Sequence, residues 1–140
     1  MGLRRLAKRL FIEHSTYDPY KLADNLGIDY RYAELGDSQL GMTVVFKNEP
    51  IILLNRDLSE SLRRYDVMAH ELSHALCHID LPHYYDVAVN GKMKLEKEAD
   101  DFAAVLVTGM YVQEFGKKPC CFREVKNVFQ LEDRAMEHYI

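Results

Sequence analysis

Residues 64–78 have the sequence RYDVMAHELSHALCH, which contains the pentapeptide His70-Glu71-Leu72-Ser73-His74. A helix brings residues that are four apart onto one face, about one turn along the axis. His70 and His74 can therefore bind one Zn²⁺ together. Glu71 then points beside the ion, where a carboxylate can accept a proton from a water molecule.

The segment around this pentapeptide is predicted to be a helix of about five turns. Ser59 is its predicted N-cap, and Pro82 is predicted to end it near Leu81. Apolar residues recur at steps of three and four, the spacing of one helix face. They are Leu62, Tyr65, Met68, Ala69, Leu72, Ala75, Leu76 and Ile79.

A zinc site that hydrolyses a substrate needs a third protein ligand and an open position. A second helical run, residues 94–106, offers carboxylates for this purpose. Glu96 and Asp100 are four apart and share one side, so Glu96 can bind the ion while Asp100 accepts the spare N–H of a ligating imidazole. Glu98 is rotated about 200° from Glu96 and is the alternative third ligand. We favour Glu96, because Glu98 has Phe102 rather than a carboxylate one turn later.

These two segments resemble the ImmA/IrrE family of metallopeptidases. Residues 64–78 match its Ala-His-Glu-x-x-His-Ala-Leu-x-His helix, and residues 96–104 match its Glu-x-Glu-Ala-Asp/Asn-x-Phe-Ala helix. The resemblance implies that His70, His74 and Glu96 bind the metal and that Glu71 is the catalytic base. The chain departs from the family at residues 106–109, which read Leu-Val-Thr-Gly where the family has Leu-Leu-Met-Pro.

Three minor features of the site accompany this prediction. The family's common trailing His is present as His78, which we interpret as a packing or supporting residue rather than a fourth ligand. His83, Tyr84 and Tyr85 are candidates for a further oxyanion donor, although packing or surface roles are the stronger interpretation. A His₂Glu set favours zinc over Mn²⁺ or Fe²⁺.

The resemblance also implies a function. Family members cleave helix-turn-helix repressors of mobile elements or stress regulons, so we expect a zinc endopeptidase that acts on a repressor of a prophage or mobile element. The alternative is a non-proteolytic zinc-binding module that sequesters a regulator or forms a toxin–antitoxin-like pair. Such a module does not need a base, so the presence of Glu71 favours the peptidase.

The order of elements predicts one α+β domain over residues 1–140, with a small antiparallel sheet packed on one side by helices. We expect N-terminal helices in residues 1–27, a β-meander in 28–55, the catalytic helices in 59–108 and a C-terminal helix in 120–138. A turn is predicted at Asn48-Glu49-Pro50. In metallopeptidases resembling this chain, an edge strand beside the zinc helix holds the substrate backbone. Ile51–Leu54 is the candidate, unless it is a fully buried strand.

The composition of the chain argues against nucleic-acid-binding, membrane-spanning and secreted classes of protein. The 140 residues are 48% hydrophobic, enough for one core, and the net charge of −4 provides no basic footprint for nucleic acid. No apolar run is long enough to span a membrane, and no secretory signal is recognisable. The three cysteines, Cys77, Cys120 and Cys121, have no disulfide-framework spacing. We therefore expect a cytoplasmic protein with reduced thiols.

Overall fold

The structure, a computed structural model, describes residues 2–78 and 89–139, with side chains for 2–78 and 94–139. Helices and a small sheet make up these residues, so the predicted α+β class is confirmed. The elements are α1 (Leu3–His14), α2 (Pro19–Leu26), β1 (Asp29–Ala33), β2 (Gly41–Phe46), β3 (Glu49–Asn55), α3 (Arg64–Cys77), α4 (Val89–Phe115) and α5 (Phe122–Phe129). Short 3-10 helices lie at Arg56–Leu58 and Asp133–His138.

The three-stranded sheet is mixed, so the prediction of a purely antiparallel meander is wrong. Its strand order is β1-β3-β2, with β1 parallel and β2 antiparallel to β3. The chain reverses direction twice between β1 and β3, which brings β3 back parallel to β1. β3 takes the centre because it is the most apolar strand, and its Ile52 and Leu54 are fully buried.

The hairpin between β2 and β3 turns at Lys47-Asn48, one residue earlier than predicted. Both residues have positive φ, 53° and 66°, which is the requirement of a two-residue type I′ turn. Glu49 and Pro50 are consequently part of β3, paired with Phe46 and Val45.

Of the two alternatives for Ile51–Leu54, the substrate-binding edge strand is wrong, because these residues pair with strands on both sides; they belong to the central strand. The strand beside α3 is instead β2, an edge strand of the sheet. Gly41 at its start permits the close approach. A Cβ there would lie 2.9 Å from Cγ1 of Val67 and 3.1 Å from Cγ of Glu71.

The core joins α3 and α4 to the sheet. α3 begins at Arg64, later than the predicted cap at Ser59, because a 3-10 helix and a turn occupy the preceding residues. Side chains from α2, α3, α4 and β3 form one buried cluster. Its largest fully buried members include Leu22, Ile52, Leu54, Met68, Leu72, Phe102 and Leu106.

The C-terminal segment is not the continuous helix that the sequence predicts for residues 120–138. α5 ends at Phe129, and Gln130 adopts a left-handed conformation with φ 58°. The following 3-10 helix carries His138 back to α4, where its Nδ1 lies 2.9 Å from Oδ1 of Asp101. This turn brings the end of the chain to the region of the candidate site.

Candidate metal centre

Two imidazoles on α3 and one carboxylate on α4 converge on one point. The Nε2 atoms of His70 and His74 are 3.2 Å apart. Glu96 approaches both rings, with its Oε2 3.0 Å from His70 Nε2 and its Oε1 3.1 Å from His74 Nε2. Among the described residues, these three are the group of His, Cys, Asp and Glu that could hold a metal ion.

The spacing of these three groups fits a tetrahedral metal. Two tetrahedral ligand atoms, each about 2.0–2.1 Å from a Zn²⁺, lie about 3.3 Å from each other. The observed separations of 3.0–3.2 Å are close to this value. The ring of His74 is 7% exposed and the side chain of Glu96 42%, so the donor set has a buried side and a solvent side. The residues therefore fit a divalent ion with a position open to solvent.

Glu98, the alternative third ligand, points elsewhere. Its Oε2 lies 3.3 Å from Nε2 of His78, one turn beyond His74. Glu96 and Glu98 occupy different sides of α4, as their two-residue separation requires. The geometry thus favours Glu96 as the third ligand and gives Glu98 a different partner.

Each of the two imidazole rings has a further partner at its other nitrogen. Nδ1 of His70 lies 2.7 Å from Oδ1 of Asp100, the contact expected of a carboxylate that orients the ring. Nδ1 of His74 lies 2.7 Å from Nδ1 of His78. Burial and the neighbouring His74 lower the pKa of His78, which favours the neutral form of its ring.

His70 is strongly basic in the absence of a metal. Burial by itself lowers the pKa of His70, but the hydrogen bonds to Asp100 and Glu96 outweigh it and raise the pKa to about 10. A ligating imidazole nitrogen carries no proton. Binding of an ion at this site must therefore release the proton that His70 holds between the two carboxylates.

Glu71 is a buried carboxylate beside the three converging groups. Its side chain is 8% exposed, and its Oε1 accepts a hydrogen bond of 2.9 Å from Oγ1 of Thr43 on β2. Burial raises the pKa of Glu71, while His70, His74 and the Thr43 hydroxyl oppose that rise. A raised pKa suits a carboxylate that accepts and returns a proton near neutral pH.

Thr43 is a residue of the site that the sequence analysis missed. It lies 28 residues before Glu71 on a strand, with no motif around it. The start of β2, predicted only as part of the sheet, thus supplies one wall of the site. His83, Tyr84 and Tyr85, the predicted oxyanion donors, lie outside the described residues.

The site opens into a cleft of about 490 Å³. α3 and the start of β2 form one wall, and the C-terminal 3-10 segment forms another. Several further charged side chains line the cleft. They include Arg63, Asp66, Glu132, Arg134 and Glu137.

Comparison with known proteins returned one family. A family model described as Peptidase M78, IrrE N-terminal-like domain, matches residues 23–109. The matched region is more than half of the chain and includes β2, α3 and the part of α4 that carries Glu96. No curated protein and no solved structure matches the chain. No helix among the described residues is both long and apolar enough to cross a lipid bilayer.

Removing the Thr43 hydroxyl should raise the pKa of Glu71. In Thr43→Val the carboxylate loses a hydrogen bond worth about 1 kcal/mol, so the pKa should increase by about 0.7. The pKa is measured by ¹³C NMR titration of the Glu71 carboxyl carbon in metal-free protein. Thr43→Ser keeps the hydroxyl and is the control. Equal pKa values in the Val and Ser variants would contradict the assigned hydrogen bond.

Asp66 provides a second, pH-dependent prediction. Burial raises its pKa to about 6 in the folded protein from an ordinary 3.8, so the folded state loses stability as pH rises between these values. Asp66→Asn should therefore increase the free energy of unfolding of metal-free protein by about 1–3 kcal/mol at pH 7.5. The gain should fall to about 0.5 kcal/mol at pH 4, because the wild-type carboxyl is then protonated in the folded state and only about 60% ionised in the unfolded chain.

Urea denaturation at both pH values measures the effect of Asp66→Asn. Asp37→Asn, at an exposed position, is the matched control and should leave stability nearly unchanged. A stability gain in Asp66→Asn that is equal at pH 7.5 and pH 4 would show that the buried charge is not its cause.

Proposed function

The chain belongs to the Peptidase M78, IrrE N-terminal-like family of metallopeptidases, and from this premise we propose that it is a zinc-dependent endopeptidase. The observation that carries the proposal is the convergence of His70, His74 and Glu96 with Glu71 buried beside them. A metal site used only for structure has all its positions filled by protein ligands. Three protein donors with a carboxylate alongside are the composition of a hydrolytic site.

We assign His70, His74 and Glu96 as the residues that hold the ion. The donor set of two imidazoles and one carboxylate favours zinc. When bound, Zn²⁺ supplies Lewis acidity that makes a water molecule acidic near neutral pH and polarises the carbonyl of the scissile peptide.

Glu71 carries out the proton transfer in this proposal. Its carboxylate accepts the proton of the attacking water and then donates it to the leaving nitrogen, so it returns to its starting state in each cycle. Thr43 holds the carboxylate in place through its hydroxyl hydrogen bond. Asp100 fixes the orientation of His70 by accepting its Nδ1–H.

We propose that β2 binds the substrate backbone. β2 pairs with β3 along one edge, and its start lies against α3 next to Glu71. An extended peptide can add to the other edge through main-chain hydrogen bonds, which accept many sequences. A peptide placed there would run past Glu71 and the cleft.

The substrate we propose is a cytosolic regulator, a helix-turn-helix repressor of a prophage or mobile element. The family resemblance is the main support for this choice. The chain's net charge of −4 is also compatible with a basic, DNA-binding partner. The alternative, a non-proteolytic zinc-binding module, gives no reason for a buried Glu71 held by Thr43.

Glu71→Gln separates the two functions. The variant should keep one zinc per chain but lose cleavage by at least about a thousandfold, because the amide cannot accept the proton. Wild type and variant are expressed separately in the same host strain. The new protein N-termini in each culture are identified by mass spectrometry. Zinc content is measured in parallel.

The exposed Glu60→Gln is the matched control and should behave as wild type. N-termini that appear with wild type and Glu60→Gln but not with Glu71→Gln identify the substrate. Undiminished cleavage by Glu71→Gln would refute the assigned base. Absence of any wild-type-dependent N-terminus, with zinc bound, would favour the binding module.

A further inference from the structure

We propose that His78 and Glu98 are positioning residues, which form a relay that fixes His74 in the tautomer able to bind the metal. The inference rests on the proposed role of His74 as a ligand. It gives a function to two residues that the reaction itself does not use. Both lie on the same elements as the proposed ligands, His78 at the end of α3 and Glu98 on α4.

The first link of the relay is a hydrogen bond between two imidazoles. Nδ1 of His74 and Nδ1 of His78 are 2.7 Å apart, and both rings are buried. One of these nitrogens must carry a hydrogen and the other must not, since two lone pairs or two N–H groups at this distance repel each other. The contact therefore couples the tautomers of the two rings.

The second link, between His78 and Glu98, determines which imidazole donates in the hydrogen bond between His74 and His78. Nε2 of His78 lies 3.3 Å from Oε2 of Glu98. An ionised carboxylate can only accept, so Nε2 of His78 carries the hydrogen. A neutral imidazole has one N–H, which leaves the Nδ1 of His78 as an acceptor. The Nδ1 of His74 is then the donor.

The result at His74 is a lone pair on Nε2. This nitrogen is the one that faces His70 Nε2 at 3.2 Å and Glu96 at 3.1 Å. The opposite tautomer would put a hydrogen at that point and prevent metal binding. The relay therefore prepares His74 as a ligand before the ion arrives.

The two proposed imidazole ligands are supported in parallel ways. Asp100 accepts directly from His70 at 2.7 Å, whereas Glu98 acts on His74 through the ring of His78. Asp100 and Glu98 are two residues apart and so lie on different sides of α4, each facing a different ring. The alternation of acidic residues at Glu96, Glu98 and Asp100 thus serves one metal centre.

The first test reads the tautomers directly in wild-type protein, first metal-free and then zinc-loaded, because only the metal-free spectrum shows the tautomer of His74 before an ion could impose it. Long-range ¹H–¹⁵N NMR spectra distinguish protonated from unprotonated ring nitrogens. We expect His78 as the Nε2–H tautomer and His74 with its hydrogen on Nδ1. A hydrogen on Nδ1 of His78 would overturn the proposal, and this measurement needs no substitution.

The second test measures zinc affinity by competition with a chromophoric chelator. His78→Leu fills a similar volume without an acceptor and should weaken zinc binding by about 10- to 100-fold. His78→Asn offers a carbonyl oxygen to His74 and should restore affinity to within about threefold of wild type. His14→Leu, at the end of α1, is the control and should leave the zinc affinity unchanged. Wild-type affinity in His78→Leu would overturn the relay.

These outcomes are independent of the proposed function. If the chain binds zinc through His74 but cleaves nothing, the endopeptidase proposal fails while the tautomer result stands. If His74→Ala binds zinc as tightly as wild type, the ligand assignment fails and the relay fails with it.

Discussion

The packing of α4 against α3 is the constraint on which the candidate site depends. Two histidines four residues apart on a helix do not by themselves make a metal site of this kind. The pair on α3 can form one only because a carboxylate is held opposite it. Phe102 and Leu106 on α4 pack with Met68 and Leu72 on α3 in one buried cluster. Six residues before Phe102, the same helix carries Glu96 to the two rings. The apolar core thus sets the distance between the polar groups.

The polar groups are arranged so that each nitrogen of the two rings has a defined partner. The Nε2 atoms face each other and Glu96, and the Nδ1 atoms face Asp100 and His78. In the metal-free protein His70 carries a proton between two carboxylates, with a pKa of about 10. A divalent ion bound between the two rings would replace this single positive charge with two, which would balance more of the acidic groups around the site. Glu71 stays beside this cluster, held from the sheet by Thr43.

The structure brings together the candidate residues on the two helices, as their spacing predicts, whereas the strand order and the contribution of β2 were not predicted. Helical spacing places His70 and His74 on one face of α3, and Glu96 and Asp100 on one face of α4. Both pairings can therefore be predicted from the sequence alone. Strand order has no such local rule, and the central position of β3 depends on burial across the whole sheet. Thr43 reaches the site by tertiary packing, and the break at Gln130 uses a left-handed residue other than glycine, for which the sequence has no clear signal. The pairing of Glu98 with His78 has no signal in the sequence, because the two residues lie on different helices and meet only when α3 and α4 pack together.

The most direct test of the account is a crystal structure of the zinc-loaded protein with anomalous diffraction recorded at the zinc absorption edge. We expect one anomalous peak per chain, about 2.0–2.2 Å from Nε2 of His70, Nε2 of His74 and a carboxylate oxygen of Glu96. A peak ligated by Glu98 or His78 in place of these residues, or no peak between α3 and α4 at saturating zinc, would contradict it.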